Sequence, residues 1–265
     1  MRLTVELILF CTLAVPLQVM AQTSGSDQTS ASRSSTSVPA FDRPVSWKLM
    51  LPNILSDQKH IWTFPARLAR GHDWLPTVAV LGTTGGLLAL DPTEGNYFRR
   101  STSYHEFNKV FSSNYTSIGM IVAPASFYLL GLVRKDEKAQ HTALLAGEAV
   151  ADAEILTTVL KDVTKRVRPS AFPPKGNLYD SWFDSKGSAL KSNGGFPSGH
   201  SIAAFSIATV VARRYGNHHW VPYAAYGAAA LVGFSRLSLS AHFTSDVFFG
   251  AALGYSISRF TVLRQ

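Results

Sequence analysis

Apolar positions along this chain gather into six runs, at about residues 75–90, 117–133, 142–166, 198–215, 221–235 and 243–261. The runs are rich in Ala, Leu, Gly and Ile and show no strict alternation, which predicts helices rather than strands. Their boundaries carry helix-ending chemistry. Asp91-Pro92 is expected to end the first run, the charged stretch Arg134 to Lys138 separates the second from the third, and Gly216-Asn217 closes the fourth. No repeat of 20–50 residues is visible. The expected fold is all-α, a bundle of about six core helices.

Upstream the pattern differs. Arg2 precedes an apolar stretch from Leu7 to Leu17, and Val19-Met20-Ala21 offers small or permissive residues before Gln22. That reads as a signal peptide over 1–21, its apolar stretch shorter than the roughly 20 residues a span needs. Cys11 is the only cysteine, so removal of the leader leaves none, which fits an oxidising compartment. Residues 22–40 are Ser/Thr-rich, too polar to offset their ordering entropy, and read as a disordered linker. From Phe41 to Trp74 an aromatic-rich arm follows, broken by Pro44, Pro52 and Pro65. Its basic residues form no single polar face, which favours packing on the body over a membrane-surface role. The remaining 75–265 is read as one domain.

Composition narrows the class. Apolar residues make up 46% and charged residues 16%, which excludes wholesale disorder. The formal charge of +8 suits an anionic partner such as a phosphate ester or an anionic lipid. The basic residues do not form the stripe that nucleic-acid binding requires. Glu148, Asp152 and Glu154 fall in the middle of the third run. Carboxylates are costly in a bilayer, so they argue against simple spanning.

Three short strings carry the candidate chemistry. In the first, Lys161 to Pro169, Lys161 and Arg168 are seven apart and share a helix side if the helix persists, although Pro169 disfavours helix at Arg168. In the second, Gly194-Gly195-Phe196-Pro197-Ser198-Gly199-His200, a Gly/Pro turn delivers Ser198 to a helix N-cap. Unpaired N–H groups there bind anions, Gly199 allows close approach, and His200 can move a proton near neutral pH. In the third, Ser235 to Asp246, Arg236 offers a planar cation. His242 and Asp246 stand at i, i+4, where a carboxylate can fix an imidazole tautomer. Singly, each string equally describes an ordinary basic helix end, a capped helix or a structural His/Asp pair.

Jointly and in this order, the strings resemble the type 2 phosphatidic acid phosphatase superfamily, which also takes in bacterial acid phosphatases and vanadium haloperoxidases. Its pattern of Lys-x6-Arg-Pro, Pro-Ser-Gly-His and Ser-Arg-x5-His-x3-Asp is met at Lys161, Arg168, Pro169, Pro197, Ser198, Gly199, His200, Ser235, Arg236, His242 and Asp246. The resemblance covers roughly 75–261. It implies a metal-independent phosphomonoesterase in which His242 takes the phosphoryl group, Asp246 orients it, and His200 protonates the leaving group and then activates water. Lys161, Arg168, Ser198, Gly199 and Arg236 would hold the phosphate. No cofactor is implied, and vanadate is expected to bind as a phosphate mimic.

The substrate class stays open between lipid and small-molecule phosphates. A vanadate-dependent haloperoxidase would have a longer Lys-to-Arg spacing and a much longer chain. A non-catalytic bundle would not need both histidines and Asp246. Crossing parity adds a constraint. With residue 74 outside the cytoplasm, three spans would put Lys161 and Arg168 inside, whereas membrane phosphatases of the superfamily place this site on the outer face. The expectation is an exported, soluble or peripheral bundle, with an integral-membrane lipid or isoprenoid diphosphate phosphatase as the alternative. Residues 170–196 are expected to shape the substrate site as a lid.

Overall fold

The computed structural model describes residues 43–173, 176–184 and 194–264. The leader, the linker and most of the second half of the 170–196 loop lie outside them. All regular structure among the described residues is helical. The order is α1 (Met50–Trp62), α2 (Phe64–Ala69), α3 (Trp74–Arg100), α4 (His105–Val110), α5 (Ser113–Arg134), α6 (Glu137–Thr164), α7 (Gly199–Arg214), α8 (Trp220–Ser238) and α9 (Thr244–Ile257). A 3-10 turn at Pro169–Ala171 and a π-helical turn at Ser258–Val262 complete the set. The six runs correspond to α3 and α5–α9, so the expected six-helix bundle is present.

Local chemistry sets the helix ends. Ser112 caps α5 by accepting from the Tyr115 N–H at 3.3 Å, and Asp136 caps α6 by accepting from Ala139 at 3.0 Å. Lys135 and Lys165 close α5 and α6 in the left-handed region, at φ 55° and 43°. One expected boundary is overturned. Asp91-Pro92 does not end α3, which continues to Arg100 with Pro92 inside it. The second half of the helix buries Gly95 and Phe98, and that packing outweighs the lost backbone hydrogen bond.

Helix α7 is the centre of the bundle and packs on α6, α8 and α9. The main core joins Leu145 and Ala149 of α6, Ile202 and Val210 of α7, and Ile257, Val262 and Leu263 at the C-terminal end. Small residues bring α7 and α9 close. A Cβ on Gly250 would lie 2.8 Å from the Ser198 carbonyl oxygen, so only glycine permits this approach.

Helices α3 and α5 are different. Both are long and apolar enough to cross a membrane, and only 11% of the apolar window of each is buried inside the molecule. At 27 and 22 residues they reach about 40 and 33 Å, against a hydrocarbon core of about 30 Å. The carboxylates expected to forbid spanning do not face outward. Glu148 and Asp152 are fully buried, and the arm supplies their partners. Arg43 pairs with Glu148, Asn53 donates to Glu148 at 2.9 Å and Gln58 to Asp152 at 2.9 Å. Burial pulls the Arg43 pKa down, but the hydrogen bonds and charges of Asp57 and Glu148 more than offset this and raise it. Glu154 lies farther along α6, near the start of α7.

Candidate active site

The three strings meet at one end of the bundle, but not by the local geometry their spacing implied. Lys161 sits in the last turn of α6, which stops at Thr164. Arg168 therefore lies on extended backbone, φ −74° and ψ 149°, ahead of the Pro169 turn. It is the chain reversal at Lys165, and not one continuous helix face, that returns Arg168 to the site. The second string runs back against the first. Gly195 N–H donates to the Arg166 carbonyl at 2.6 Å, and a Cβ on Gly194 would meet the Lys161 Cβ at 2.9 Å.

Ser198 is the N-cap of α7, as its position implied. It accepts from Ser201 N–H at 3.4 Å, while its own N–H donates to the Asp246 carbonyl at 3.1 Å, tying the starts of α7 and α9 together. A Cβ on Gly199 would stand 3.4 Å from Lys161 Nζ and 3.6 Å from Glu154 Oε1. The α7 N-terminus and the Lys161 ammonium thus face the same space, with the Glu154 carboxylate close enough to act on that ammonium. His200, in the first turn, has its Nε2 2.9 Å from Ser117 Oγ of α5.

Arg236, in the last turn of α8, is 1% exposed and held on several sides. It donates to Ser113 Oγ at 3.0 Å, Thr116 Oγ1 at 3.0 Å, the Phe111 carbonyl at 2.8 Å and Ser235 Oγ at 2.7 Å. Such fixing removes the flexibility a long cation would otherwise lose on binding.

His242 and Asp246 do not share a helix face. His242 lies in the link before α9, and Asp246 is in that helix's first turn, where its Oδ2 accepts the Phe243 N–H at 2.8 Å. The His242 Nδ1 is 2.7 Å from the Gly195 carbonyl oxygen and 3.6 Å from Asp246 Oδ2. A carbonyl only accepts, so Nδ1 carries the proton and Nε2 holds the lone pair. Burial pushes the His242 pKa below the usual histidine range, with Asp246 pulling back up. Lys161 and Arg168 both lie close enough to bear on its charge.

The strings did not single out the residue behind this pair. Arg166, 2% exposed, reaches Asp246 Oδ1 at 2.5 Å, Asp91 Oδ2 at 2.6 Å and Ser245 Oγ at 2.7 Å. Trp182 and Phe243 cover its guanidinium at 4.6 and 4.2 Å. The Ser181 carbonyl oxygen accepts from Val167 N–H at 2.6 Å, and Leu178 packs at Gly95. The described part of the 170–196 loop is thus built into the back of the site. Its other part lies outside the described residues. Among the described residues no group of three or more His, Cys, Asp or Glu side chains is placed to hold a metal ion.

Residues 140–265, which carry all three strings, match the model of the PAP2 superfamily, and over those residues the resemblance drawn from the sequence is borne out. Among individual proteins, the lipid A 1-phosphatase of Porphyromonas gingivalis is 42% identical over 60 residues, 22% of this chain. The match spans 14% of that relative's length. A crystal structure titled as the first transmembrane PAP2 type phosphatidylglycerolphosphate phosphatase, from Bacillus subtilis, is similar at a TM-score of 0.40. It is 22% identical, with 78% of this chain and 94% of that one covered.

Proposed function

We propose that the protein is a membrane-embedded phosphatase that removes phosphate from phosphorylated lipids through a phosphohistidine on His242. The observation that carries this reading is the convergence of Lys161, Arg168 and the α7 N-terminus on a buried histidine whose Nδ1 is committed to Gly195, with Arg236 close enough to bear on Arg168 and His200. In the first step the Nε2 lone pair attacks phosphorus and the bond to the ester oxygen breaks. His200 gives that oxygen its proton, and the phosphoryl group stays on His242. The imidazole is then cationic, with Asp246 at 3.6 Å as its counter-charge. Neutral His200 next takes a proton from water, which attacks phosphorus as the P–N bond breaks and inorganic phosphate leaves. The three cations and the Ser198–Gly199 turn hold the equatorial oxygens through both steps.

Two features support a lipid substrate. The outer surfaces of α3 and α5 are apolar, and α5 also carries Ser113 and Ser117 into the site. A substrate reaching the phosphate pocket beside α5 can therefore keep its acyl part in the bilayer. The matched relative is a lipid A 1-phosphatase, acting on a phosphate carried by a lipid. The test is phosphate release from phosphatidic acid in mixed micelles and from p-nitrophenyl phosphate, wild type beside His242→Ala. Release from the lipid, lost in the variant with an acid-labile phosphoenzyme trapped only in the wild type, supports the proposal. Release that persists in His242→Ala overturns it.

A further inference from the structure

Helix α1 is amphipathic in the opposite sense to a helix folded in water. Its polar side chains turn inward, with Asn53 on Glu148, Gln58 on Asp152, and Asp57, 0% exposed, paired with Arg43. Met50 and Ile61 pack on the main core, while its leucines turn outward. Leu51 and Leu55 are 65% and 64% exposed, and Trp47 and Trp62 stand open beside them. In water this arrangement leaves apolar area solvated while desolvating three carboxylates, and both terms oppose folding.

We infer that residues 43–62 form an interfacial arm whose outer face is seated in the lipid bilayer. The inference rests on the membrane reading above. Continuity with α5 carries it further. Trp47 Nε1 donates to Tyr128 Oη at 2.7 Å and the two rings meet edge to face at 5.6 Å. The stripe of α1 therefore runs into the exposed Leu129 and Leu132 of the helix proposed to span. Composition fits a headgroup boundary. Lys59 follows Leu51 and Leu55 at four-residue steps, Lys48 precedes them, and both are exposed. Lysines flanking an apolar stripe with tryptophan at each end suit an anionic leaflet. The helix has 13 residues, about 20 Å, too short to cross the roughly 30 Å core. It lies within one leaflet, and the carboxylates between α1 and α6 are sealed from lipid beneath it.

The test uses the full chain with Cys11→Ser and a single cysteine at Leu55, Ile121 or Glu106, each carrying an environment-sensitive fluorophore. The chains are reconstituted in phosphatidylcholine–phosphatidylglycerol vesicles with and without nitroxide-labelled lipid. Ile121 reports on α5 and Glu106 is the aqueous control, both being exposed in the protein alone. The expected result is blue-shifted emission and several-fold quenching at Leu55, matching Ile121 and unlike Glu106. A Leu55 label that behaves like Glu106 while Ile121 is quenched overturns the arm's seating and leaves the membrane reading standing. If Ile121 also behaves like Glu106, the membrane reading falls and the inference with it.

Discussion

The Nδ1–H of His242 is donated to the backbone carbonyl of Gly195, 2.7 Å away, and not to Asp246, which stands 3.6 Å off. Tautomer and counter-charge are thus supplied by two different groups. Asp246→Asn should therefore keep the reactive tautomer while removing a negative charge that also pairs with Arg166. Losing the counter-charge leaves the cationic phosphohistidine less stabilised, so kcat is expected to fall at least about tenfold, the equivalent of about 1.4 kcal/mol, well short of the loss in His242→Ala. Single-turnover kinetics on the two variants make the comparison.

The pH dependence follows from the same pair. In the proposed mechanism attack needs neutral His242, and burial lowers its pKa below the ordinary value of about 6.5. Nucleophile protonation should therefore cut kcat/KM only below that value as pH falls. Asp246 raises the His242 pKa, so in Asp246→Asn the acid limb should move lower still. A limb that moves upward would contradict the assigned charge relationship.

Arg166 balances two buried carboxylates, Asp91 and Asp246. Removing one member of a buried ion pair typically costs about 3–5 kcal/mol because the partner charge is left uncompensated. Arg166→Leu should lower the thermal midpoint in detergent markedly. Adding Asp91→Asn, which removes one orphaned charge, should recover part of the loss.

The contact between α7 and α9 offers a steric test. A Cβ on Gly250 would press on the Ser198 carbonyl oxygen from 2.8 Å and shift the start of α7. Displacements of about 1 Å at a reacting centre can cost about 100-fold in rate. Gly250→Ala is expected to lose activity on that scale, with overpacking of about 1–3 kcal/mol in stability.

Vanadate should inhibit as a phosphate mimic, and Arg236 should govern how tightly. Its guanidinium is fixed by Ser113, Thr116, Ser235 and the Phe111 carbonyl. Lysine cannot reproduce that planar fork. Arg236→Lys is expected to raise the vanadate inhibition constant at least about tenfold, the equivalent of about 1.4 kcal/mol. Steady-state inhibition curves on both proteins would read this directly.

The helices were legible because long apolar runs bounded by caps and charged turns leave few other solutions. The grouped site strings were legible because their residue types and spacings are short-range. What escaped depends on distant partners. Arg166 lies inside the first string, yet only the reversal at Lys165 turns it into the core. Asp91-Pro92 looked like a stop because Pro92 breaks local hydrogen bonding, and nothing nearby announces that Asp91 is needed by Arg166. Ser113, Thr116 and Ser117 stand more than eighty residues from His200 and Arg236. Glu148 and Asp152 read as a barrier to membrane insertion until Asn53, Gln58 and Arg43 supplied their partners.

The bond between Ser117 and His200 joins the proposed active site to a helix whose opposite side is apolar and open. A 22-residue helix in a bilayer thinner than its apolar length tilts to match it. Tilt of α5 moves Ser113 and Ser117 together, and with them the settings of Arg236 and His200. Turnover should accordingly track acyl-chain length in vesicles of one headgroup, so that the thickness of the surrounding lipid acts on the chemistry without touching the substrate.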